Sequence, residues 1–275
     1  CENYTDRYID VGIAEPHAIT YASGLATEGI IPIVPIYSTF MQRAYDHLMH
    51  DILLQKLPIV LCMDRAGLVG PDGPTHHGIF DISMLNSLPG IIITAPKDGN
   101  ELKNLIYTAI SFKKPISIRY PKDTCNAYNR KIKPSIIAIG EWEELISGTD
   151  IAILAVGSMV EICMDAINLG NMECSSRLML VNCRFIKPLD NKMLDDIGKK
   201  YKYVITFEEG SEIGGFGDSI MRYYSLKNSN IKVFSKGVGD AFADQGTRQE
   251  LLNSTGLDKK GVIDLYDFKI NKYLI

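Results

Sequence analysis

The stretch DRAGLVGPDGPTHHG, at residues 64–78, places two Asp, one Arg and two His among four Gly and two Pro. Gly and Pro in this density exclude the interior of a helix or strand. The preceding run, LPIVLCM at residues 57–63, is typical of a strand buried on both faces of a parallel sheet. Residues 79–85 are compatible with a helix. Since ligands bind at the carboxyl ends of strands in open α/β sheets, this 64–78 loop predicts an α/β fold and a site at its sheet edge.

Segments typical of strands and helices alternate on both sides of the loop. We predict strands at residues 8–14, 31–36, 58–63, 91–94, 116–120, 151–156, 178–182, 203–208 and 231–235. We predict helices at residues 16–28, 39–55, 98–112, 158–169, 190–200, 216–225, 247–254 and 258–271. This alternation predicts an α/β fold of two successive doubly wound, mainly parallel-sheet domains.

The domain boundary is predicted from a polar segment without periodicity, KDTCNAYNRKIKPS, at residues 122–135. We expect a first domain at residues 1–124, a linker at 125–135 and a second domain at 136–275. A chain of 275 residues that is 46% apolar is long enough for two cores. Because a strand-like run begins soon after Cys1, we expect the natural N-terminus to lie upstream.

Composition narrows the class of protein. A net charge of -4 without a basic stripe argues against nucleic acid as a partner. No apolar run approaches the roughly 18 residues of a membrane span. Six Cys without a C-x-x-C pair favour a reducing compartment. We therefore expect a cytoplasmic protein without a membrane partner, and an organellar targeting segment upstream of Cys1 is not excluded.

Several polar and aromatic residues follow the ends of predicted strands. Glu15 precedes Pro16, and on its own it is best interpreted as a helix-capping carboxylate. Parallel strand ends converge, however, so a single crevice is expected to contain Glu15, Tyr37, Phe40, Arg43, Arg65, Asp72 and His76. Farther along, the spacing of four glycines at residues 210–217 is not G-x-G-x-x-G, which favours packing or an interface over nucleotide binding.

Several runs resemble the 1-deoxy-D-xylulose-5-phosphate synthase family, which comprises thiamine diphosphate enzymes of the transketolase superfamily. They are DVGIAE at 10–15, IYSTF at 36–40, QRAYD at 42–46, the 64–78 loop, RYP at 119–121, NCRFIKPLD at 182–190, EE at 208–209 and GTRQELL at 246–252. One departure is Pro16, where the family usually has Gln. The resemblance implies a middle pyrimidine-binding domain, without its first strand and helix, followed by a transketolase C-terminal domain.

The resemblance also implies an activity. Members condense pyruvate with D-glyceraldehyde 3-phosphate, with loss of CO2, to 1-deoxy-D-xylulose 5-phosphate, a precursor for isoprenoid, thiamine and pyridoxal synthesis. The cofactors are thiamine diphosphate and Mg2+, and the metal is bound by an N-terminal diphosphate-binding domain whose motif this sequence lacks. We expect no metal ligands in this chain, a homodimer, and no activity without that domain as a partner.

Roles for individual residues follow from the same resemblance. Glu15 matches the catalytic carboxyl at the aminopyrimidine. Phe40 matches the aromatic ring that packs on the pyrimidine. Substrate-binding roles are implied for Tyr37, Arg43, Arg65 and Arg119, and catalytic roles near the reacting carbon for Asp72 and His76.

Two other interpretations remain open. Another superfamily member, such as a 2-oxo acid dehydrogenase β subunit or half of a transketolase, would keep the glutamate and the two-domain layout. The sequence DGPTH at residues 72–76 favours the synthase over these other superfamily members. A non-catalytic association module is the alternative from a different class.

Overall fold

The computed structural model describes residues 4–125, 128–169 and 177–273. The strands are β1 Ile33–Tyr37, β2 Val60–Asp64, β3 Ile92–Thr94, β4 Ile116–Arg119, β5 Glu143–Ile146, β6 Ile151–Ala155, β7 Leu178–Asn182, β8 Phe185–Lys187, β9 Tyr203–Ser211 and β10 Lys232–Val238. The α-helices are α1 Glu15–Thr27, α2 Tyr45–His47, α3 Asp81–Asn86, α4 Gly99–Phe112, α5 Met159–Leu169, α6 Asn191–Lys200, α7 Phe216–Leu226, α8 Arg248–Thr255 and α9 Lys259–Tyr273. Short 3-10 helices span Thr5–Arg7, Ser38–Ala44 and Gly70–Asp72, and a π-helix spans Leu48–Leu53.

The strands form two five-stranded sheets. The first has the order β1-β2-β4-β3-β8 and the second β10-β9-β6-β7-β5. Within each sheet four strands are parallel, and the fifth, β8 or β5, is antiparallel at one edge. The predicted α/β architecture with two mainly parallel sheets is therefore confirmed.

The apolar runs became central strands because both of their faces are covered. Every residue of β6 and β7 is buried, as is all of β2 except Asp64 at its end. In the first sheet, Tyr37 lies opposite Asp64, and Met63 lies opposite Arg119. The carboxyl ends of β1, β2 and β4 thus meet at one edge.

The predicted strand at residues 8–14 is wrong. Among the residues that the structure describes, that segment pairs with no strand, and Ile13 is 90% exposed. Its alternation resembles a strand, but a strand needs a neighbour for its backbone hydrogen bonds. Glu15 is consequently the first residue of α1, with Ala14 at the N-cap, and does not lie at the end of a strand.

Two strands, β5 and β8, were not predicted, and each is the antiparallel edge strand of its sheet. β5 is only partly buried, and β8 has three residues, so neither shows a long apolar run. β8 comes from the second half of the chain yet pairs with β3 of the first sheet. The linker predicted at residues 125–135 includes 126–127, which lie outside the described residues.

The hydrophobic core crosses between the sheets. One cluster of buried side chains contains Leu61 and Ile93 of the first sheet together with Leu154 of the second sheet and Phe216 of α7. Across residues 4–125, 128–169 and 177–273, no helix has both the length and the apolar character that a membrane crossing requires.

Candidate active site at the edge of the first sheet

Glu15, Arg43 and Phe40 form one end of the candidate site. α1 presents Glu15 at its first residue, and the 3-10 helix after β1 carries Phe40 and Arg43. Arg43 Nη1 donates to Glu15 Oε1 at 3.2 Å, and the Arg43 guanidinium carbon lies 4.8 Å from the centre of the Phe40 ring. The Glu15 side chain is 11% exposed and that of Arg43 is 50% exposed. A mostly buried carboxylate therefore lies next to an aromatic ring at the protein surface.

Aromatic contacts connect this end to the 64–78 loop. Tyr37 stacks on Phe40 with ring centres 5.6 Å apart, and the His76 and Phe40 rings pack edge to face with centres 5.3 Å apart. The guanidinium carbon of Arg65 lies 4.0 Å from the Tyr37 ring centre. The structure thus brings together residues from β1, the following helix and the loop after β2.

Asp72 forms the polar end of the cluster. Arg65 Nη1 donates to Asp72 Oδ2 at 2.5 Å, and Lys122 Nζ donates to the same oxygen at 2.8 Å. The hydrogen bond from Lys122, with smaller contributions from the charges of Lys122, Arg65 and His76, lowers the pKa of Asp72. The sequence reasoning missed Lys122, although its position just beyond the end of β4 places it at the same sheet edge.

Arg119 lies apart from the other predicted residues. It is 6% exposed, Nε donates to Asp81 Oδ2 at 3.0 Å, and Nη2 donates to the Glu209 carbonyl oxygen at 2.9 Å. These contacts give Arg119 a structural role beneath the loop, and its role in substrate binding stays a prediction.

The glycines at residues 210–217 surround a buried acid and do not form an open phosphate loop. Glu208 accepts hydrogen bonds from the Phe216 and Gly217 amides, both at 2.9 Å, at the start of α7. A side-chain carboxylate thereby occupies the helix N-terminus where a phosphate would otherwise bind. A Cβ on Gly217 would lie 2.5 Å from Ser235 Cβ, so this glycine allows close packing.

The geometry fits the pyrimidine end of thiamine diphosphate. Glu15 presents a carboxyl group and Phe40 a partly exposed aromatic ring, the two kinds of group that an aminopyrimidine would require. In the part of the chain that the structure describes, no group of three or more His, Cys, Asp or Glu side chains is arranged to hold a metal ion.

Comparison with known families accounts for both sheets. Residues 2–126 match the family described as "Transketolase, pyrimidine binding domain", and residues 140–262 match "Transketolase, C-terminal domain". The chain belongs to the transketolase family. Its relatives include the 1-deoxy-D-xylulose-5-phosphate synthases of Aquifex aeolicus and Syntrophus aciditrophicus, at 45% and 44% identity over 95% of this chain. The chain spans only 41% and 40% of their lengths.

Solved structures support the same transketolase architecture. A chain titled "Split gene transketolase, inactive beta4 tetramer" superposes with a TM-score of 0.85 at 26% identity, and the match covers 96% of this chain and 84% of that one. The transketolase of Campylobacter jejuni gives a TM-score of 0.74 at 16% identity over 94% of this chain and 39% of its own, which shows a shared fold.

Proposed function

We propose that this chain supplies the pyrimidine-binding and C-terminal domains of a thiamine diphosphate-dependent transferase that makes 1-deoxy-D-xylulose 5-phosphate. The reaction joins pyruvate to D-glyceraldehyde 3-phosphate with loss of CO2. The observation that carries the proposal is that Glu15 and Phe40 lie at one sheet edge with Arg65, Asp72 and His76. The relatives named above, at 44–45% identity, support the synthase over other members of the family.

Each residue then has a chemical task. Glu15 forms a hydrogen bond with a nitrogen of the aminopyrimidine and exchanges a proton with it, and Phe40 packs on its ring. When bound, the cofactor supplies an electron sink for decarboxylation of a 2-oxo acid. Arg65 and Arg43 attract the carboxylate or phosphate of the substrates. His76, 2.9 Å from the Thr75 hydroxyl through Nδ1, transfers a proton at the carbonyl oxygen of the acceptor.

The complete enzyme would also require an N-terminal domain that binds the diphosphate and Mg2+. Exposed apolar side chains support such a partner. Phe80 and Phe242 are both exposed and contact each other edge to face at 6.0 Å. We expect the isolated chain to be inactive and the complete enzyme to be a homodimer.

Reconstitution tests the function. We would fuse the chain to the N-terminal region of the Aquifex aeolicus relative and measure CO2 release from pyruvate with D-glyceraldehyde 3-phosphate. We expect activity that depends on both substrates, and Glu15→Gln should lower kcat at least about 100-fold because a carboxyl proton donor is lost. Glu28→Gln, at the other end of α1 and exposed, is the matched control and should keep the wild-type rate.

Other outcomes discriminate the alternatives. Transfer of a two-carbon unit between sugar phosphates without CO2 release would indicate a transketolase. A fusion that binds thiamine diphosphate yet releases no CO2 would support a non-catalytic association module and contradict the proposal.

A further inference from the structure

The 64–78 loop is attached to the second half of the chain at three points. The Leu68 amide donates to Glu209 Oε1 at 2.7 Å, and Gln245 Nε2 donates to the Pro71 carbonyl oxygen at 2.9 Å. His77 is buried, and its Nε2 donates to the Asp244 carbonyl oxygen at 2.9 Å. The loop that carries the candidate site is therefore held from outside its own sheet.

Glu209 is the most deeply buried of these attachments. It lies in β9, is 1% exposed, and uses both carboxylate oxygens. Besides the Leu68 amide, it accepts from the Ser158 hydroxyl at 2.7 Å and from Arg248 Nη2 at 2.6 Å. A buried carboxylate is tolerated only when its oxygens are satisfied, and a loop amide is one of the donors.

The backbone beside Leu68 is shaped for this contact. Gly67 has a φ of +80°, and a Cβ there would lie 2.6 Å from the Glu209 carboxyl group. Only glycine allows the loop to approach so closely. The glycine content of the 64–78 loop thus serves a contact between the two halves of the chain.

The Glu209 contact is connected to the candidate site by the backbone. Gly67 and Gly78 exchange two hydrogen bonds, each of 2.8 Å, which close the loop at its base. Asp72 and His76 lie between these glycines, and Arg65 lies two residues before Gly67. A shift of Leu68 therefore moves the segment that carries these side chains.

Packing and hydrogen bonds together hold this arrangement, since Leu68 is fully buried in a hydrophobic cluster that also contains Phe207 and Leu251 of the second half. A cavity of about 680 Å³ between the two halves of the chain is lined in part by Lys122 and Arg248, the partners of Asp72 and Glu209. Side chains are not closely packed around Lys122 and Arg248, so their hydrogen bonds to Asp72 and Glu209 supply directional contacts at a place where packing is loose.

We propose that Glu209 is a positioning residue, which acts from the second sheet to hold the 64–78 loop in the geometry that the candidate site requires. It does not contact substrate. Its effect on the reaction rests on the proposed function, whereas its effect on the loop does not.

Hydrogen exchange of the full chain tests the effect on the loop. In Glu209→Gln the new amide group must face either the Leu68 amide or the Arg248 guanidinium, both of which are donors, so one donor loses its acceptor. We expect exchange in peptides covering residues 65–79 to rise about tenfold, with less than a twofold change elsewhere. Glu212→Gln is the control, because Glu212 follows β9 and accepts from the Gly237 amide without touching the loop.

Each result decides the proposal. Unchanged loop exchange in a folded Glu209→Gln protein would overturn it. If that variant exchanges faster everywhere, Gly67→Ala decides, because it displaces the loop while the contacts of Glu209 with Ser158 and Arg248 remain possible. Faster exchange confined to the loop in Gly67→Ala supports the proposal, and wild-type exchange contradicts it.

Kinetics of the reconstituted enzyme separate the two proposals. We expect Glu209→Gln to raise KM for the aldehyde about tenfold and to leave the Kd for thiamine diphosphate unchanged, because the loop carries Arg65 and Asp72 but not Glu15. An unchanged aldehyde KM would contradict the positioning role. An inert wild-type fusion would contradict the proposed function, while the exchange result would stand.

Discussion

Glu15 and Arg43 form an ion pair that contributes little to folding. Half of the Arg43 side chain is exposed, and exposed pairs typically contribute about 0–1 kcal/mol. Holding a carboxylate at 11% exposure for so small a gain has no evident structural benefit. The arrangement therefore fits the proposed cofactor-binding role of Glu15 and Phe40 better than a role in stability.

Because of Glu208, which precedes Glu209 in β9, we expect the free energy of unfolding to depend on pH. Burial raises the pKa of Glu208 to about 7, against the opposing effect of the hydrogen bonds from the Gly217 and Phe216 amides and the charge of Arg119. The folded pKa is above the ordinary value of 4.5, so the native state holds the proton more tightly. The stabilisation from this proton is complete below pH 4.5 and is lost as the pH rises through about 7.

The measurement is the free energy of unfolding in urea from pH 5 to pH 8. Relative to Glu208→Gln, whose side chain stays neutral, the wild type should lose on the order of 3 kcal/mol of stability over this range. Glu144→Gln, which replaces an exposed carboxyl, should show no such trend. A difference between wild type and Glu208→Gln that is constant with pH would show that Glu208 does not take up this proton.

β8 joins the halves of the chain through a three-residue strand. Lys187 at its end extends Nζ to the carbonyl oxygens of Asn86 at 2.9 Å and Leu88 at 2.5 Å, beyond the carboxyl end of α3. An ammonium group is favoured at a helix C-terminus, where the carbonyl groups lack partners. Burial lowers the pKa of Lys187, which shows that the group is partly removed from water.

Lys187→Met should therefore lower the free energy of unfolding by about 1–3 kcal/mol, since two carbonyl groups lose a charged donor. Lys192→Met, an exposed substitution in the first turn of α6, should change it by less than about 0.5 kcal/mol. Equal losses in the two variants, measured by urea unfolding, would mean that Lys187 does not stabilise the junction.

Local sequence patterns predicted the parallel strands of both sheets. Strand β7 was predicted with its exact bounds, residues 178–182, because a parallel strand that is buried on both faces consists mainly of consecutive apolar residues. Residues 8–14 have the local pattern of a strand without a partner, and β8 finds its partner about ninety residues away in the chain. The cluster around Phe40 was foreseen because parallel strand ends converge, and the same argument would have placed Lys122 there, since it follows β4. Glu209 depends on how the halves of the chain pack, which periodicity does not encode.

Because packing crosses between the two sheets, we expect the described chain to unfold as a single cooperative unit. The hydrophobic cluster that contains Leu61 and Ile93 of the first sheet also contains Trp142 and Phe216. The strand exchange by β8 and the contacts of Glu209 add hydrogen bonds across the same boundary. Neither half can lose its structure without exposing the core of the other.

Trp142, the only Trp in the sequence, lies at this boundary and reports on it. It is buried, Nε1 donates to the Phe185 carbonyl oxygen at 2.7 Å, and its ring centre is 5.7 Å from that of Phe216. Because the boundary and both sheets share one core, Trp142 fluorescence and far-UV circular dichroism should change at the same urea concentration, in one transition. Trp142→Phe supplies the fluorescence background. A circular dichroism curve with two steps, of which Trp142 follows only one, would mean that the halves unfold separately and that the shared core does not couple them.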